Sequence, residues 1–108
     1  MTFDPGLVAR VADVLEQIGH PGVRQKHVFG GWGFLIGKHA FAIVWGDGVI
    51  FKLTREDYER ALGEPGVTPF SPAGARPMGT WVVVSADVVA EDPELGDWLR
   101  RALRAVGR

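Results

Sequence analysis

The side chains best suited to chemistry are few and scattered. Lys52 stands inside an apolar run, Arg76 and Met78 lie in a proline-rich stretch, and His20, His27 and His39 are far apart. A lysine on an otherwise apolar strand either meets an anion or a partner, or lays its charge along an aromatic ring at the sheet edge. An arginine presents a planar fork suited to carboxylate or phosphate, and a methionine adapts its shape to whatever covers it. Lys52, Arg76 and Met78 are therefore the candidate ligand or partner contacts, and convergence of Lys52 with Arg76 would make an anion site.

Other chemistry finds little support. The histidines have no carboxylate at ligand-like spacing, so no metal motif forms. Ser71 and Ser85 are the only serines, neither lies in a nucleophile elbow, and there is no cysteine. The carboxylates fall on helical outer faces or at caps, with no pair in an apolar setting for acid and base work. Gly30-Gly31-Trp32-Gly33 could cradle a phosphate, but an apolar strand follows where a nucleotide loop would open a helix. A tight turn or bulge that lets Trp32 pack is the expected use of these glycines. No catalytic residue, cofactor or metal is assigned, and the chain is not expected to be an enzyme.

The elements that must position these residues follow from periodicity. Leu7, Val11, Val14, Leu15 and Ile18 form one helical stripe, with Asp4 as cap, Pro5 in the first turn and Gly19 as stop. Residues 23–53 read as a β-meander closed by the turn pairs Gly37-Lys38 and Asp47-Gly48. Two-residue loops there set Ile36 opposite His39, Phe34 opposite Phe41, Trp32 opposite Ile43, Trp45 opposite Ile50 and Ile43 opposite Lys52. One face then holds Trp32, Phe34, Ile36, Phe41, Ile43, Trp45, Ile50 and Lys52, and the other holds Leu35, Ala40, Ala42, Val44, Phe51 and Leu53. Both are apolar, so the second face must also be covered, by a helix, a loop or another subunit, and a homodimer is one expectation.

Thr54 caps a short helix from Arg55 to Leu62. Residues 64–79 carry four prolines and read as a connecting loop with a brief strand at Val67 to Phe70. Trp81 to Ser85 is a strand. A last helix opens near Asp92-Pro93, turning Leu95, Trp98, Leu99, Ala102 and Leu103 inward, with Arg100, Arg101 and Arg104 on its solvated face.

With 108 residues, the chain makes one domain, residues 1–108. Its formal charge of −1 removes any sequence-wide case for nucleic acid, although a local patch is compatible with it. With no helix-turn-helix signal either, direct nucleic-acid binding is not expected. No apolar run is long enough to span a membrane, and the N-terminus lacks a signal-peptide pattern, so a cytoplasmic location is expected.

Taken together, several runs resemble the TfoX/Sxy N-terminal domain family over nearly the whole chain. They are Phe29-Gly30-Gly31 with Gly33-Phe34, Lys52, Glu59-Arg60-Ala61-Leu62 to Pro65-Gly66-Val67, and Arg76-Pro77-Met78 with Trp81-Val82-Val83-Val84. Asp92, Leu95, Trp98 and Arg101-Ala102-Leu103 resemble the family's terminal helix. Thr80 stands where the family pattern has glycine. The resemblance implies a small α+β domain similar to the secretion-chaperone-like fold. It would have an antiparallel sheet of about five strands with N-terminal, middle and C-terminal helices. The family is named for regulators of natural competence, and with Arg108 as the last residue the second domain of those longer proteins is expected to be absent. The expected function is a non-enzymatic regulatory or protein-interaction domain, with a protein partner or self-association. The alternative is a small-ligand or anion-binding domain using Lys52 and Arg76.

Overall fold

A computed structural model of the chain describes residues 3–72 and 76–106. Helix α1 runs from Pro5 to Gln17, and the Asp4 carboxylate accepts the Gly6 amide at 2.8 Å, satisfying one of the donors orphaned at a helix start. Beyond Ile18 the chain turns away through Gly19, whose φ of 97° suits a residue without a Cβ. Four strands follow: β1 (Arg24–Val28), β2 (Gly31–Ile36), β3 (His39–Trp45) and β4 (Gly48–Lys52). Helix α2 (Arg55–Ala61) is capped by Thr54, whose hydroxyl accepts the Asp57 amide at 3.1 Å. Strands β5 (Val67–Pro69) and β6 (Trp81–Val84) and helix α3 (Asp92–Val106) complete the fold. Of the connecting loop read between 64 and 79, residues 73–75 lie outside those described.

The fold is α+β, and the described residues form three helices and one antiparallel sheet of six strands, one more than expected, in the order β1-β2-β3-β4-β6-β5. Strand β6 slots between β4 and β5. It therefore pairs on both sides, and β1 and the three-residue β5 become the edges. Among the described residues, no helix is long and apolar enough to cross a membrane.

Two turns differ from the expected register, each for a local reason. The Gly37-Lys38 hairpin sets Ile36 opposite His39 as read, but Phe34 pairs with Ala42 and Trp32 with Val44. A bulge at the Phe34/Leu35 step gives β3 an extra residue, so Phe41 and Ala42 both reach the same core. The alternation thereby reverses: Trp32, Phe34 and Ile36 pack with Val44 and Phe51, not with Ile43 and Ile50. The next loop is Gly46-Asp47, not Asp47-Gly48, so Trp45 faces Gly48 and Ile43 faces Ile50. Gly46 takes the left-handed position at φ 59°. Gly48 belongs to β4, where a Cβ would overlap the Val84 carbonyl oxygen.

The main core lies between one sheet face and helices α1 and α3. Val11, Val14 and Leu15 meet Leu95, Trp98 and Leu99 over Phe34, Phe41 and Val49. Trp98 stacks on Phe51 with ring centroids 5.7 Å apart. Each such side chain contributes about 1.5–3 kcal/mol when fully buried, so this layer dominates the stability of the fold. Arg101 is not on the solvated face of α3. It is half-buried, 4.3 Å from the Trp98 ring centroid, and donates to Glu64 at 3.0 Å, joining α3 to the α2–β5 connection.

The opposite sheet face is covered as well. Ile43 and Ile50 are fully buried with Phe70, while Val28, Met78, Trp81 and Val83 pack around them. The β5–β6 connection supplies the cover, held by main-chain bonds. The Phe70 amide donates to Trp81 at 3.0 Å and the Met78 amide to Phe70 at 2.8 Å. A second subunit is not needed to cover Ile43 and Ile50.

Candidate functional site

The second sheet face concentrates the candidate residues. Cross-strand register assigns each side chain, because directly opposed residues share a face. Lys26 lies opposite Gly33 and Gly33 opposite Ile43, so Lys26 shares the face of Ile43 and Ile50. Arg24, two residues earlier on β1, falls on the same side. Lys52 lies opposite Trp81 on this face, not opposite Ile43, and its Nζ sits 5.7 Å from the centroid of the Trp81 ring. That contact accounts for a cation within an apolar strand and contributes about 0.5–1 kcal/mol.

Met78 is brought to this face too, half-buried against the Ile43, Ile50 and Phe70 cluster. Arg76, two residues earlier, is exposed and forms no ion pair with any described residue. Lys52 and Met78 thus share a surface, whereas the Arg76 charge stands out from the loop that covers it. The main clefts, about 170 to 400 Å³, lie between α1 and β1 or beside α1 and α3. None of these is lined by Lys52, Arg76 or Met78.

Phe29 and Trp45 are the residues that sequence reasoning missed. Phe29 is 56% exposed and Trp45 39% exposed, and Phe70, only 3% exposed, lies between them. Its ring centroid is 6.0 Å from Phe29 and 5.7 Å from Trp45, so two exposed aromatic rings meet a buried one.

The backbone at Phe29 is unusual as well. The β1–β2 loop is Phe29-Gly30, with φ of 53° and 79°, the signs a type I′ hairpin turn requires. Asparagine or aspartate normally takes the first position, since a left-handed conformation costs other side chains about 1–2 kcal/mol. The available signal was an aromatic residue standing where a hairpin calls for Asn-Gly.

The glycines after Phe29 have a packing role. A Cβ on Gly31 would overlap the Val44 carbonyl oxygen and press on Ile43 and Trp45, and one on Gly33 would strike Val28 at 2.6 Å. Bare backbone at these two positions lets Val28, Ile43 and Trp45 lean across β2.

Charge on this face is one-sided. The six strands contain Arg24, Lys26 and Lys52 but no aspartate or glutamate. The carboxylates lie in the helices and their connections, apart from Asp47 in the β3–β4 turn. Several neutralise helix-side arginines, as in Arg10–Asp92 at 2.8 Å and Arg104–Asp57 at 2.9 Å. The near-neutral total conceals a basic, aromatic sheet face opposite a mixed-charge helical side.

No curated protein matches the chain. The TfoX N-terminal domain matches residues 13–106, a span that takes in the Phe29 hairpin, Lys52, the Arg76-Pro77-Met78 loop and α3. This chain belongs to the TfoX N-terminal domain family.

Proposed function

We propose that the domain is a non-enzymatic, cytoplasmic regulatory module that works by binding protein, with the aromatic sheet face as its contact surface. The observation that carries this reading is Phe29, a large apolar side chain 56% exposed at a hairpin tip whose backbone disfavours it. Neither core packing nor turn geometry calls for phenylalanine there. Exposed aromatics beside a buried one, rimmed by cations, have the composition of an interface centre. Membership in a family named for a regulator agrees with such a role. The small-anion alternative has less support, because Lys52 already rests on Trp81 and lines none of the four clefts described above.

Site-specific photocrosslinking in cells that produce the protein tests this reading. A benzophenone amino acid at position 29 or 45 is expected to give discrete protein adducts, while the same group at exposed Arg100 on α3 gives none. Failure to form adducts from either sheet-face position, with efficient photolysis, overturns it.

A further inference from the structure

We infer that the sheet face receives an acidic, extended protein segment that lies along β1 and anchors one apolar side chain beside Phe29, Phe70 and Trp45. This inference rests on the domain being a protein-interaction module and identifies the chemistry of the partner.

Three features carry it. First, among the described residues β1 pairs with a strand on one side only, and the first four of its five residues are exposed, so its outer edge presents main-chain donors and acceptors to an added strand. The opposite edge, β5, is three residues long and includes Pro69, which has no N–H to offer. An added strand therefore has one favourable edge to join. Second, Arg24 and Lys26 stand two residues apart on the same face, the period at which an added strand would repeat acidic side chains. Third, Phe29 extends this line at the hairpin tip, where it can flank an apolar side chain laid against Phe70.

A lysine on an edge strand also guards against aggregation. That role accounts for Lys26 but leaves an exposed phenylalanine in a left-handed turn unexplained.

Charge complementarity decides the occupant. A second copy docked by two-fold symmetry would set this basic face against itself, and Ile43 and Ile50 are already buried. Among the described residues of this face, the large apolar side chains left exposed are Phe29 and Trp45. Single-stranded nucleic acid could stack on Phe29 and Trp45, but it needs a row of available cations along the backbone. Here the strands carry three, and Lys52 already lies over Trp81, which leaves only the pair Arg24 and Lys26 on β1. A segment with two carboxylates and one apolar anchor needs only what this face offers.

The test uses the full chain, isotopically labelled, followed by amide and indole NMR shifts. The probes are a synthetic heptapeptide alternating glutamate with leucine and phenylalanine, the same peptide with glutamine for glutamate, and decathymidylate. The acidic peptide is expected to shift β1 amides and the Trp45 indole, and to bind about tenfold more tightly than the glutamine peptide. Lys26→Glu, an exposed change, should weaken it at least about fivefold, and raising salt should do the same. Equal binding of the two peptides, tighter binding of decathymidylate, chain-concentration-dependent shifts without probe, or no shift at all would each overturn the inference. Photocrosslinked adducts from positions 29 and 45 that persist after such a result would leave the protein-binding reading standing and remove only the acidic segment.

Discussion

Phe29, Gly48 and Lys52 show how single positions carry the account. Lys52 was legible as a cation among apolar neighbours, and resting on an aromatic ring was among its expected roles. Its partner, Trp81, depended on strand order, which the sequence left open. Gly48 was legible as a turn residue yet serves in a strand, because Trp45-Gly46-Asp47-Gly48 contains two overlapping turn pairs. Close approach to the Val84 carbonyl selects between them, and that is a tertiary contact. Gly48→Ala should accordingly destabilise the fold by about 2 kcal/mol, read as a lower midpoint in urea denaturation. An unchanged midpoint would mean that β4 and β6 are not packed this closely.

At the scale of elements, helices were the most readable parts. The Asp4 and Thr54 caps and the α1 and α3 stripes lie within one or two residues of their expected places. Local hydrogen bonding and the helical period determine them. The sheet was harder: the bulge at Phe41 reverses the alternation along β2 and β3, and nothing in a run of apolar residues marks where an extra one will be inserted. Gly96 in α3 makes an element-scale prediction. It is buried against α1, and a Cβ there would sit 3.5 Å from Val14 Cγ1, an ordinary contact. Gly96→Ala should therefore stabilise the protein by about 0.5–1 kcal/mol through helix propensity, visible as a raised thermal midpoint. A lowered midpoint would show that α1 and α3 are packed more tightly than this geometry allows.

For the molecule as a whole, the two-sided apolar sheet was legible, but not which structure would cover its second face. Beyond the brief strand read at Val67 to Phe70, the stretch 64–79 has no regular period, so the packing of Phe70 and Met78 on that face could not be read from pattern. Net charge misdirected attention in a similar way, since −1 overall coexists with six strands free of carboxylate. That segregation becomes visible only once the strands are known, and with exposed Phe29 and Trp45 it defines the proposed contact face. The central claim is that Phe29 is kept for contact at some expense to the fold, and Phe29→Asn separates the two effects. Asparagine relieves about 1 kcal/mol of left-handed strain and forfeits roughly 0.5 kcal/mol of ring contact with Phe70. One experiment measures urea stability of this variant together with photocrosslinking from position 45. The account predicts a gain of about 0.5 kcal/mol with adducts largely lost. A loss of more than about 1 kcal/mol with adducts retained would contradict it and make Phe29 a structural residue.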